Sequence, residues 1–230
     1  MNKKPTKNLL KMKKTILLFV SVILLVSCEK SGSEKFSTTL GGSTNLPMNE
    51  VDNSIYSSTF INGTRQTTNA QITVVKNEDG ITTVRIKSKI PNDLPFANLV
   101  TSNMKDADGN LDIELKYKNS TEGVLDYTNL DKSPFVIAKY DAKVGDQYIL
   151  NKTDGKTITR TVTKHSTTDD FEWVGGQWLY LKTVTVEQDS RIPGVDKLVY
   201  NANHKYGLVG LEVVMEDGTK VKFFFNSSSY

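Results

Sequence analysis

His165 and His204 are the only two histidines of this 230-residue chain, and Cys28 is its only thiol. His165 adjoins Ser166, with Asp169 and Asp170 close behind. Those are the residue types of a nucleophile–base–acid relay, but a relay also needs its nucleophile on a sharp, exposed turn within reach of the base. No Gly-x-Ser-x-Gly occurs, and the stretch reads as a polar loop after a strand. The run Asp106 to Asp112 has the acid density of a calcium loop without the alternating ligand spacing or the closing Glu, and a hairpin turn at Asp108-Gly109 explains the same residues. Two scattered histidines do not make a zinc site. None of the 26 acids stands out as half of a glycosidase pair. Gly41-Gly42 and Gly175-Gly176 introduce no helix, so neither cradles a phosphate. No catalytic residue, metal or cofactor is assigned.

The feature that rises above this background is aromatic. Phe171, Trp173, Trp178 and Tyr180 flank Gly175-Gly176, and both tryptophans of the chain are among them. A two-residue loop would set Trp173 opposite Trp178 and Phe171 opposite Tyr180, all on one face. Flat rings in a row suit a sugar or an apolar ligand if exposed, and a core if covered. Phe223 and Phe225 read as core, and Phe224 should point the other way, to solvent or to a partner.

The start of the chain carries an address. Lys3, Lys4, Lys7, Lys11, Lys13 and Lys14 form a basic segment without acids, followed by an apolar run of 11 residues, Ile16 to Val26, broken only by Ser21. That length suits a signal peptide and falls short of the roughly 20 residues a membrane span needs. Leu25-Val26-Ser27-Cys28 resembles the lipobox of bacterial lipoproteins, in which cleavage precedes a cysteine that becomes acylated. The resemblance implies a leader over 1–27, a lipid anchor on Cys28 with palmitate-type chains, and a place in the cell envelope. With a Lys/Asn/Ser/Thr-rich chain and Glu29 after the cysteine, it is similar to lipoproteins of Bacteroidetes-type bacteria, many of them on the outer membrane. The membrane face, periplasmic or surface, stays open. The whole chain carries 29 basic and 26 acidic residues; without the six leader lysines the balance is 23 to 26, a net of −3. The basic balance therefore belongs to the leader, and nothing points to nucleic acid.

Residues 28–53 are Ser-, Gly- and charge-rich at first and turn-rich throughout, as expected of a flexible tether, with a reach of roughly 27 Å. Residues 54–230 show no break in composition and are long enough for one domain. They consist of short Val/Ile/Thr/Tyr/Phe runs between Asp-Gly and related turns. A three-residue loop at Glu216-Asp217-Gly218 sets Val213 opposite Val221, Leu211 opposite Phe223 and Val209 opposite Phe225, with Glu212 opposite Lys222 on the other face. A one-residue slip would mix those faces. The same device at Glu78-Asp79-Gly80 pairs Val74 with Val84 and Ile72 with Ile86. At Thr153-Asp154-Gly155 it pairs Leu150 with Ile158. Asp108-Gly109, as a two-residue loop, would pair Met104 with Ile113, Val100 with Tyr117 and Lys105 with Asp112. Pro91 to Pro95, Lys118 to Pro134 and Ser190 to Asp196 read as irregular connections. The expected fold is all-β, an antiparallel hairpin meander closing as a sandwich, barrel or half-barrel.

The expectation is a lipid-anchored extracytoplasmic domain that binds a ligand or serves the envelope structurally, without catalysis. The alternatives are a glycan-processing hydrolase and, by analogy of fold, a half-barrel lipid carrier. An apolar cavity between sheet layers would favour the carrier, exposed aromatic rings a glycan binder, and two facing carboxylates the enzyme. Cys28→Ser should leave the protein unacylated and out of the membrane fraction. Mass spectrometry finding an unmodified Cys28 in the mature protein would contradict the anchor.

Overall fold

Twelve strands laid flat at a spacing of about 4.8 Å would span roughly 53 Å. The connection between the two strands at the edges of this sheet is seven residues long, and a chain of that length reaches at most about 29 Å. The sheet must therefore curl. The computed structural model describes residues 40–230 except 68–69, 92–93, 96, 129–133, 153–154, 174–178, 191 and 229–230. These belong to one unit, Ser37–Tyr230; the leader and Cys28 lie outside the described residues.

The strands are β1 (Ser54–Ile61), β2 (Thr64–Gln66), β3 (Gln71–Glu78), β4 (Ile81–Ser88), β5 (Leu111–Ser120), β6 (Gly123–Asp126), β7 (Phe135–Lys139), β8 (Gln147–Asn151), β9 (Thr157–His165), β10 (Phe171–Trp173), β11 (Leu179–Leu181), β12 (Val184–Asp189), β13 (Val195–Asn203), β14 (Gly207–Met215) and β15 (Lys220–Ser227). Twelve of them form one antiparallel sheet in the order β7-β6-β5-β4-β3-β1-β15-β14-β13-β12-β9-β8. β2 pairs with β1 alone, and β10 and β11 pair only with each other. The first and last strands, β1 and β15, lie side by side in the middle of the sheet. β7 and β8, consecutive in the chain, are its two edges. They meet as the sheet rolls into a nearly closed barrel, packing together without a hydrogen-bonded ladder among the described residues.

Side chains do what the missing ladder does not. β7 is the unbroken apolar run Phe135-Val136-Ile137-Ala138, buried along its length, as expected of a strand covered on both faces. It packs with Val124 and Leu125 of β6 against Tyr148, Leu150, Val162, Val184, Val186 and Tyr200 from the opposite wall. Arg160 of β9 crosses this core, 3% exposed. Its Nη1 donates to the carbonyls of Val136 (3.0 Å) and Phe135 (3.3 Å), its Nε to Gln188 Oε1 (2.8 Å), and its Nη2 to Asp126 Oδ2 (3.3 Å). The guanidinium lies 3.9 Å from the Phe135 ring centre and 4.9 Å from that of Tyr200. Beside it the Lys139 amide donates to Tyr148 Oη at 3.2 Å, and burial pushes the Tyr148 phenol up to about 12.

The registers bear out most of the hairpins. Leu211 pairs with Phe223, Glu212 with Lys222 and Val213 with Val221 around a three-residue loop in which Gly218 has φ 83°. Leu211 packs against the main core, half-buried, and Glu212 turns outward to Lys222 at 3.0 Å. Leu150 pairs with Ile158. Val74 does pair with Val84 and Ile72 with Ile86, but the loop is the two residues Asp79-Gly80, both at positive φ (52° and 76°). A bulge between Val74 and Lys76 restores the register. Val209 likewise leaves its expected row, because a bulge opposite Asn201 and Ala202 turns it to the outer face.

Three expectations are corrected. The hairpin at Asp108-Gly109 amounts to one bridge, Lys105 to Leu111. Met104 ends a 3₁₀ turn (Ser102–Met104), while Ile113, Leu115 and Tyr117 pair with Ile86, Val84 and Thr82 of β4. Ile86 and Val84 give Ile113 and Leu115 apolar partners, while Tyr117 and Leu111 meet Thr82 and Ser88. Asp112 is accordingly forked by Arg85 (2.7 Å twice), which holds its carboxyl below the usual range. The irregular connection 118–134 contains the end of β5, a tight turn and β6. The tether does not extend to residue 53. Leu40, Met48, Asn49 and Asn53 are buried. Asn49 Nδ2 donates to Thr44 O and Asn119 O, and Asn53 Nδ2 to Ser227 Oγ (2.7 Å). Polar composition here records buried amides that cap strand ends rather than a solvated chain.

Arg160→Leu should destabilise the domain by about 3–5 kcal/mol, since it leaves two buried carbonyls and Asp126 without their donor. Urea denaturation measures this. A loss below about 1 kcal/mol would mean that apolar packing alone holds the seam.

Candidate functional site

The aromatic hairpin is not an exposed row. β10 and β11 pair Phe171 with Leu181, Glu172 with Tyr180 and Trp173 with Leu179. The expected pairs, Trp173 with Trp178 and Phe171 with Tyr180, are thus corrected by one residue; Trp178 itself lies outside the described residues. Five residues, an odd number, separate Trp173 from Leu179, whereas a two-residue loop at Gly175-Gly176 demands an even one. The slip puts Tyr180 on the opposite face from Phe171 and Trp173. Trp173 is 4% exposed and Tyr180 56%.

The hairpin folds back over the outer face of the sheet, where Trp173 and Leu181 cover Val209 and Phe224, with Phe60 and Phe171 at the margin. Phe224 does point opposite to Phe225, and the partner it meets is this hairpin: its ring lies 5.6 Å from Phe60 and 6.0 Å from Phe171. Trp173 Nε1 donates to the Phe225 carbonyl at 2.9 Å, and its indole stacks on Tyr206 at 5.0 Å. This is a satellite core, with the indole N–H satisfied as a buried Trp requires.

The inner face has what the outer face lacks. A cavity of about 110 Å³ lies within the curl, lined by apolar residues from β1, β3, β4, β5, β6, β7, β14 and β15, with Met48 and Tyr206 at its border. Ile72, Val84 and Val124 are buried in its wall, but Ile55, Ile86, Leu115, Tyr117, Leu208 and Phe225 are only half-buried although they face inward. They stay so because β6 and β7 turn in over β8, β9, β12 and β13 and stop short of β3, β4 and β5. Asn119 and Ser227 share the lining with the hydroxyl-bearing Tyr117 and Tyr206, and none of the described lining residues is charged. The sequence names these residues as inward-facing but not as unfilled, since a lining residue and a core residue alternate alike.

The polar clusters are internally satisfied. Ser166 Oγ donates to Asp170 Oδ1 at 2.6 Å, while His165 Nδ1 meets the Ala142 carbonyl at 2.6 Å, so the two do not form a nucleophile–base pair. Lys164 adds an ion pair to Asp170 (2.9 Å), and together with Ser166 it holds that carboxyl below its usual range. Asp106 Oδ1 accepts the amides of Asp108 and Asn110, which makes the acidic run an ordinary turn. Among the described residues no three His, Cys, Asp or Glu side chains gather as a metal site. A second hollow, about 220 Å³, lies beside Phe171 and is bordered by Lys164, Asp170, Glu172, Glu212 and Lys222. Four of these five charges form the pairs Lys164–Asp170 and Lys222–Glu212.

Trp173→Ala should cost about 3–5 kcal/mol of stability, as for a buried aromatic. Tyr180→Ala should stay within roughly 0.5 kcal/mol. Thermal melts of the two variants check this; equal effects would contradict the register that separates them.

The chain matches no protein-family model and no curated protein.

Proposed function

We propose that this protein is a lipid-anchored envelope lipoprotein whose β domain binds an apolar ligand inside the curl of its sheet, without catalysing a reaction on it. The observation that carries the reading is the set of half-buried inward-facing residues, Ile55, Ile86, Leu115, Tyr117, Leu208 and Phe225, around an uncharged cavity. Fully burying a side chain of that size is worth about 1.5–3 kcal/mol, so an apolar guest covering several of them gains affinity that a solvated sugar would not. At about 110 Å³ the cavity is smaller than the roughly 150 Å³ one that holds benzene in another protein, but it is partly open, so it takes the end of a slender guest whose remainder extends out of it.

The anchor supports the same reading. A lipoprotein held on Cys28 works at a membrane, which is itself a source of apolar ligand. The glycan-binding alternative loses its support with the burial of Trp173.

Leu115→Trp places the added ring in the cavity. It should abolish binding of an apolar fluorescent probe and co-purification of extractable lipid, while the melting temperature stays within a few degrees. Undiminished binding in a folded Leu115→Trp protein would refute the cavity as the site.

A further inference from the structure

Among the described residues two buried side-chain polar atoms find no hydrogen-bond partner in the protein, Thr82 Oγ1 and Asn119 Oδ1. Only Asn119 lines the cavity. It sits near the end of β5, opposite Val124 of β6, and is 5% exposed.

The orientation of its amide is fixed by its neighbours. Asn49 Nδ2 donates to two backbone carbonyls, Thr44 O (2.9 Å) and Asn119 O (3.0 Å). Asn49 must therefore present Oδ1 to Asn119, and the atom that meets it at 3.2 Å must be the donor, Asn119 Nδ2. Exchanging the two ends of the Asn119 amide would set oxygen against oxygen; exchanging those of Asn49 would set oxygen against two carbonyls. Asn119 Oδ1 is thereby left as an acceptor. Gly207, at φ 69°, lies beside it: a Cβ there would come within 3.3 Å of Asn119 Oδ1 and 2.9 Å of Met48 Sδ. Glycine at this position keeps a side chain from pressing on the oxygen. Ser227 Oγ, also on the lining, accepts from Asn53 Nδ2.

We infer that the cavity selects an apolar molecule ending in a hydrogen-bond donor, a hydroxyl or an amide N–H, and that Asn119 Oδ1 is its acceptor. This rests on the apolar-ligand reading above and narrows it. A buried acceptor without a donor is costly, so a ligand that brings one gains more than its apolar area provides. A carboxylate brings only acceptors, and among the described residues no cation lines the cavity to receive it.

Two isomers of equal size separate the donor from the apolar body: octan-1-ol has a hydroxyl donor, and 1-methoxyheptane has an ether oxygen without one. Each is titrated by calorimetry, with octanoate at pH 8, into the mature chain carrying Cys28→Ser. The alcohol should bind about tenfold more tightly than the ether, a difference of about 1.4 kcal/mol, and octanoate should bind more weakly than both. Asn119→Leu, checked for folding by circular dichroism, should bring alcohol and ether to equal affinity. The wild-type comparison decides even if that variant fails to fold. Equal affinities for alcohol and ether in the wild type would overturn the donor requirement while leaving the apolar reading intact. Tightest binding of octanoate would overturn it as well. Failure of all three to bind would remove the apolar reading and this inference with it.

Discussion

Arg160 closes the barrel. The topology leaves β7 and β8 as edges that the connection between them forces together, yet no backbone ladder joins them. An unpaired edge inside a core would strand carbonyls away from water, at a cost of roughly 1–3 kcal/mol each. The guanidinium meets that requirement from the far wall: it donates to two carbonyls of β7, pairs with Asp126 of β6 and stays inside the span of its own neighbour Gln188 on β12. Its planar faces lie against Phe135 and Tyr200, so the charge enters the core without opening a gap. A lysine could supply the charge but not the fork.

Once β7 is held there, the remaining shape follows. β6 and β7 pack over one side of the interior and fill it; on the other side, under β3, β4 and β5, Ile55, Ile86, Leu115 and Tyr117 stay half-buried around the cavity. The chain before β1 lies along the border of that open part, with Met48 on the lining and Asn49 and Asn53 tied to β5 and β15. The cavity, the strand-end caps and the unpartnered Asn119 oxygen all lie in that part of the interior. On the outer face the reverse happens: the β10–β11 hairpin covers apolar side chains that would otherwise be exposed, and Trp173 fixes it by stacking on Tyr206, itself a border residue of the cavity.

Local pairings were legible in the sequence because a hairpin is a local problem. Val74 with Val84, Leu150 with Ile158 and Leu211 with Phe223 follow from alternation and one turn each. The misread features depended on something distant. The strand Leu111–Ser120 had two candidates for a partner, β4 and the stretch before Lys105, and the turn alone does not choose between them. The segment 40–53 has the composition of a linker, but its asparagines answer a backbone carbonyl 70 residues away and a serine hydroxyl 174 residues away. In the aromatic hairpin the number of loop residues between Trp173 and Leu179 decided which rings share a face, and Gly175-Gly176 alone does not fix that number. The pairing of β1 with β15 and the roll that makes the cavity are of the same kind: no short window of sequence contains them.

The account centres on the inner face of the sheet as the place where ligand is held. Methyl-resolved NMR during titration with octan-1-ol reads both faces at once. Ile55, Ile72, Ile86 and Ile137 line the cavity, while Ile149 and Ile192 are exposed outside it. The account predicts that the first four shift together and saturate, with Ile149 and Ile192 unmoved. Saturating shifts confined to Ile149 and Ile192, or to Leu179 on the outer hairpin, would place the ligand on the wrong face and contradict it.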